Sequence, residues 1–228
     1  MSTPVKESKL ITLKDVKANP RVHEYIQGAN DLLNAMGYTE HGHRHANIVG
    51  SITRYILNSL GANERDAELG AIAAYLHDIG NVVNRINHPM IGAVMAENIL
   101  HDMGMPPEEI VPVMGAIGNH EEMAGLPVSQ ISAALIIADK SDVHFSRVQN
   151  PIIETYDIHD RVNYAVQRSR VEVRADQNEI ELTLEVSHEI ASVMEYFEIF
   201  LSRMVMCRKS AELLGCKFKL LVNGTMLE

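Results

Sequence analysis

The sequence predicts a mainly α-helical chain, with a helical bundle over residues 1–150 and a small α+β unit over residues 151–228. Three observations carry this. Apolar residues recur at helical spacing from about Val22 to Ser146, in blocks closed by glycine or proline. The connections between blocks are short, as a bundle of antiparallel neighbours requires. After Asn150-Pro151 the period changes to two, in VEVRADQNEIELTLEV (171–186).

The elements follow in order. Residues 1–20 mix charged residues with two prolines and read as a lead-in segment. Val22, Ile26, Leu32, Leu33 and Met36 mark a first helix ending at Gly37. Val49, Ile52, Ile56 and Leu60 form an apolar stripe over 45–60, closed by Gly61. Asn63 caps the next helix, which runs through Ala67, Ala71, Ala74 and Tyr75 to Asp78. Helices over 88–102 and from Pro107 to about His120 follow, then a Gly125/Pro127 loop and a helix from Ser129 to Phe145. In the second unit a short helix (157–167) leads to two strands around Asp176-Gln177-Asn178. A long helix (187–214) is apolar on more than one face, so it is expected to be covered on two sides, by its own sheet and by something else. Lys217–Val222 is a third strand, giving a ββαβ unit.

Composition narrows the function. The chain has 228 residues, a net charge of −10, 46% hydrophobic and 22% charged residues, which are globular values. Its acidity argues against a nucleic-acid polymer as partner. Apolar stretches such as Ala71–Leu76 and Ala133–Ala138 are six residues long, against the ~20 that a bilayer span needs. The polar N-terminus, broken by Pro4, has no apolar core of a signal peptide. Cys207 and Cys216 form no CxxC pair, so a reducing cytoplasm is the expected location.

Histidine stands out, at 11 residues. His45 opens one helix, His77-Asp78 closes the next, His88 opens another, His120 closes the one after, and Asp139 sits in the apolar run AALIIADK. Helix ends packed side by side can converge their side chains on one interior point. Imidazole nitrogens and carboxylate oxygens suit a borderline divalent metal, and a buried Asp139 needs a compensating cation or donor. His41 and His45 share a helix face while His43 points away. His45 opens the apolar stripe and is the expected ligand, His41 is expected near it, and His43 in solvent. His101-Asp102 reads as a helix C-terminal pair, and His159-Asp160 lies outside the pattern.

These residues resemble the HD-domain superfamily of metal-dependent phosphohydrolases. The resemblance rests on His45 in HANIV, His77-Asp78 in YLHDIG and Asp139 in IIADK, and covers roughly residues 38–147. His88 in NHPMIGA and His120 in GNHEE look like the additional ligands of the two-metal branch, which includes the HD-GYP phosphodiesterases. Asn81 replaces the lysine of HDIGK, one histidine follows Asn119 where that group has two, and GLP replaces GYP. The resemblance implies two divalent ions, iron or manganese first, with nickel, cobalt, zinc or magnesium as other choices. It implies metal ligation by His45, His77, Asp78, His88, His120 and Asp139, and a metal-activated hydroxide attacking a phosphoester of a small phosphorylated metabolite or nucleotide.

No GxSxG, Walker A or Cys–His signature supplies a protein nucleophile. Asp78 and Lys140 are the expected catalytic residues, and Lys140, Arg85 and Arg44 the cations for the phosphoryl group. Asp142, one turn beyond Asp139, is placed to orient a ligand. Two other classes fit the same residues: a dinuclear-iron oxygenase, and a nucleotide-sensing module without turnover. The C-terminal unit is expected to lid the site, to form a homodimer, or to do both.

Overall fold

The computed structural model describes residues 10–227; the polar stretch around Pro4 lies outside them. Nine α-helices and one four-stranded sheet are present among the described residues. The helical part comprises α1 (Leu13–Lys17), α2 (Pro20–Ala35), α3 (His43–Ser59), α4 (Glu64–Leu76), α5 (His88–Met103), α6 (Pro107–Gly118) and α7 (Gln130–Ser141). The second unit contains α8 (Ile158–Ala165), β1 (Val166–Arg174), β2 (Glu179–Val186), α9 (Val193–Leu213), β3 (Lys217–Val222) and β4 (Thr225–Leu227).

The C-terminal half of α4 and most of α7 are buried on every side and form the axis of the helical part. In α4, Ala71 through Leu76 are inaccessible apart from a small part of Tyr75, and in α7 the run Ala133–Ala138 is fully inaccessible. Their composition explains this: alanines let neighbours approach on all faces, with Ile72, Leu76, Leu135 and Ile137 filling the gaps. Asn63 and Ser129 cap their N-termini with side-chain acceptors. Both helices therefore deliver their C-terminal ends, His77-Asp78 and Asp139, into the interior.

The sheet has order β1-β2-β3-β4, with β2 and β3 parallel and the outer pairs antiparallel. Helix α9 is the crossover between the parallel strands, and it packs on the sheet with one face and on α7 with another. The second cover expected for this helix is thus α7 of the same chain.

Four boundaries differ from the sequence reading. The lead-in segment contains α1, whose Thr12 and Asp15 form a reciprocal cap. Helix α7 stops at Ser141, because Asp142 leaves helical geometry and its carboxylate engages His45 and Arg44. Helix α9 starts at Val193, where Ser192 and Glu195 close a capping box. Strand β4 was not expected; it follows a tight Asn223-Gly224 turn with both residues at positive φ, the signature of a two-residue hairpin.

Candidate metal centre

Five helix ends meet at one interior point. His45 is in the first turn of α3, His77 caps the C-terminus of α4, and Asp78 begins a 3-10 turn (Ile79–Val82). His88 opens α5 after Asn87, which holds a left-handed conformation. His120 follows the end of α6, and Asp139 lies in the last turn of α7. Three of the five ends are C-terminal, whose partial negative charge favours a cation. The turn after Asp78 presses against α5 so closely that a Cβ at Gly80 would lie 2.1 Å from the His88 carbonyl oxygen. Only glycine permits that approach, and it sets His88 beside Asp78.

All four histidines are buried, at 1% exposure or less. Each directs Nδ1 to an oxygen: His77 to Ala74 O (2.7 Å), His88 to Arg85 O (2.9 Å), His120 to Ile117 O (2.6 Å) and His45 to Asp142 Oδ2 (2.7 Å). An oxygen at Nδ1 calls for the proton there, so in the neutral ring that ligates a metal it is Nε2 that offers the lone pair. Those Nε2 atoms face one another in pairs, His45 to His77 at 3.3 Å and His88 to His120 at 3.1 Å. Two lone pairs repel at that distance unless a proton or a metal cation lies between them. Metal–nitrogen bonds of about 2.0–2.1 Å at ordinary ligand angles separate two donors by roughly 3 Å. The residues present fit a divalent ion at each pair.

Asp78 connects the pairs. Its Oδ2 is 3.2 Å from His77 Nε2 and 3.7 Å from His45 Nε2, while its Oδ1 is 3.3 Å from His88 Nε2 and 3.9 Å from His120 Nε2. Asn81 Nδ2 donates to Asp78 Oδ1 at 2.9 Å, so the residue that replaces the HDIGK lysine orients this carboxylate. Asp139 Oδ1 faces the first pair, 3.3 Å from His45 and 3.7 Å from His77. Among the described residues, three overlapping triplets bring their donors within 4.8 Å of one another: His45/His77/Asp78, His77/His120/Asp139 and Asp78/His88/His120.

The electrostatics express the same demand for a cation. Burial would lower His77 and would raise Asp78 and Asp139, yet their mutual attraction wins. His77 is raised to about 10, and both carboxyls fall well below the usual range, Asp139 aided chiefly by Lys140. A proton on His77 thus supplies positive charge that a metal would supply instead. His120 is pushed down by burial and then by His77 and Lys140, which keeps it neutral and ready to ligate.

The expected cations are placed unequally. Arg85 lies at the second pair, its Nη1 3.3 Å from His88 Nε2 and its Nη2 3.6 Å from Glu121, with the guanidinium over the Tyr38 ring. Lys140 is buried between Asp139 and Glu122. Arg44 is not brought to the donors: it binds Asp142 at 3.1 and 3.3 Å and lies 3.6 Å from Glu40. Arg44 and His45 thus engage the same Asp142 carboxylate, Arg44 from behind it and His45 with its Nε2 toward the donors. Asp142 orients His45, as its spacing suggested.

Among the other histidines, His41 stays close, its ring edge-on to His45 with centroids 5.6 Å apart. His43, expected in solvent, is half-buried, stacked on His23 and 3.1 Å from the Tyr75 hydroxyl. His101 ends α5, and its neighbour Asp102 pairs with Arg21. His159-Asp160 sits in the first turn of α8, where Asn150 donates to Asp160. Glu121, Glu122 and Arg203 are near the centre and were not singled out; the two acids adjacent to His120 carried the only sequence signal.

Comparison with known proteins agrees with this geometry. A model of the HD domain matches residues 42–144. An uncharacterised protein of Methanocaldococcus jannaschii, MJ1020, is 27% identical, the match covering 79% of this chain and 78% of the relative, so the likeness extends beyond the helical part. No helix among the described residues is long and apolar enough to cross a membrane. Residues 42–144, the stretch whose helix ends carry the His/Asp donors, are thus similar to the HD domain.

Proposed function

We propose that this protein is a phosphohydrolase that holds two divalent ions and cleaves a phosphoester of a small phosphorylated metabolite or nucleotide. The carrying observation is that the two oxygens of Asp78 face two separate histidine pairs. His45, His77, Asp78 and Asp139 would hold one ion, and Asp78, His88 and His120 the other, iron or manganese being the first choices for such mixed donors. Divalent ions supply a strong nucleophile from water at neutral pH and neutralise phosphoryl charge.

The remaining roles belong to the chain's own residues. Asp142 and Asn81 fix His45 and Asp78, so little reorganisation is needed on binding. Arg85, beside the second pair, is the cation positioned to meet phosphoryl oxygens. Lys140 acts on Asp139 and sits one carboxylate away from the donors. A homodimer belongs to the same reading, and sedimentation of the whole chain measures it.

The test loads the metal-free protein with Mn2+, Fe2+ or Co2+ and assays phosphomonoesters, nucleotides and cyclic dinucleotides beside His77→Ala. Turnover that His77→Ala lacks is expected. Equal rates in both proteins would sink the proposal. Oxygen uptake by the iron form, or tight nucleotide binding without turnover, would replace it with an oxygenase or a sensor.

A further inference from the structure

A line of alternating charges joins the C-terminal unit to the metal centre. Arg203, on α9, donates from Nε to Glu122 Oε1 at 3.0 Å. Glu122 Oε2 is 2.8 Å from Lys140 Nζ, an ion pair off the hydrogen-bond axis. Lys140 Nζ is in turn 2.8 Å from Asp139 Oδ2, while Asp139 Oδ1 faces His45 and His77. The four residues come from α9, the loop after α6, and the last turn of α7.

We infer that Arg203 is a positioning residue for the metal centre, acting through Glu122 and Lys140 on Asp139. The inference rests on the metal reading proposed above. Its physical basis is competition for one carboxylate. Lys140 is 4% exposed, so its ammonium must be matched by acids, and two of them share it. An ammonium shared with Glu122 leaves Asp139 charge for a divalent ion. An ammonium left to Asp139 alone contends with that ion for the same group.

Glu122 can share Lys140 only while its other oxygen is satisfied. Arg203 satisfies it, and the guanidinium is itself fixed over the Phe200 ring, 4.7 Å from the centroid. Without the guanidinium, Oε1 is left without its charged donor, Glu122 shifts, and its hold on Lys140 weakens. This gives the C-terminal unit a role in the chemistry that needs no contact with substrate. A second ion pair of α9, Arg161 with Glu195 at 2.9 Å, lies in its first turn and reaches α8 instead.

Four variants of the full chain test this. Arg203→Met removes the charge and keeps an apolar stem on Phe200, Arg203→Lys restores the charge, and Glu122→Gln breaks the middle link. Arg161→Met loosens α9 away from the centre. Each is checked for fold by circular dichroism and titrated with Co2+, followed by its visible d–d absorption. Arg203→Met and Glu122→Gln are expected to bind Co2+ roughly 10-fold more weakly, the lower range for groups behind a ligand, with an altered d–d band. Arg203→Lys should lie closer to the wild type, and Arg161→Met should match it. Should Arg203→Met not fold, Glu122→Gln decides. Wild-type affinity and spectrum in the folded Arg203→Met and Glu122→Gln proteins overturn the inference, as does an equal change in Arg161→Met. A wild type that binds no Co2+ overturns the metal reading itself, and this inference with it.

Discussion

The two halves of the metal centre are built from the same residue types and differ in charge. The His45/His77 half faces two carboxylates, Asp78 and Asp139, and its first histidine is backed by a third, Asp142. The His88/His120 half has its share of Asp78 plus Glu121, whose Oε2 is 3.6 Å from His88 Nε2 but equally close to Arg85, and its histidines are backed by backbone carbonyls. Arg85 and Glu121 border it, both about one-fifth exposed, whereas Asp142 is almost fully enclosed. More anionic charge in a drier setting means tighter cation binding. On the proposed reading the first half is therefore the structural anchor, and the second is the looser, more accessible half where a phosphoryl group would enter beside Arg85.

The substitutions that break this comparison follow from it. Asp78→Asn removes the carboxylate both halves share, so both ions weaken together and activity falls by more than the roughly 100-fold that outer partners cost. Metal analysis and steady-state rates check it. Asp142→Asn should weaken the first ion by about 10–100-fold and leave the second unchanged, because only His45 loses its orienting partner. Competition with a chelator separates the two ions. Arg85→Gln is expected to raise KM for a phosphoester by about 10-fold, the scale of one charge-assisted hydrogen bond, while Arg44→Gln leaves it nearly unchanged. Equal KM effects would refute the assignment of the two arginines.

A pH effect sharpens the same contrast. His77 in the ion-free chain is raised from 6.5 to about 10, so at neutral pH it carries a proton that an ion must displace. Binding to the first half should therefore release about one proton, and affinity should rise about tenfold per pH unit up to about 10. Calorimetry in buffers of different ionisation enthalpy measures this. The stability that the raised His77 contributes to the ion-free protein is fully present below 6.5 and is lost as pH rises through about 10.

Much of this was legible in the sequence because the ligands occupy helix ends, and helix ends are marked by local signals. Gly61, Gly104 and the Asn63 and Ser129 caps delimit the helices whose termini carry His45, His88, His77 and Asp139. Arg44, singled out by its adjacency to His45, reaches the centre through Asp142, a carboxylate far away in sequence that no local pattern ties to it. The Asn223-Gly224 hairpin had a local signal that the longer strands overshadowed. Lys140 and the acids after His120 could be noticed one by one, but their tie to Arg203 could not: it is made by α9 packing on α7, a tertiary event that no local pattern encodes.

The central claim is that one bridging carboxylate serves two unequal ion sites. Counting tightly bound metal per chain, in the wild type and in His120→Ala, tests it most directly. The account predicts two ions in the wild type and one, held by His45, His77, Asp78 and Asp139, in His120→Ala. A single ion in the wild type, or an unchanged count in His120→Ala, would contradict it.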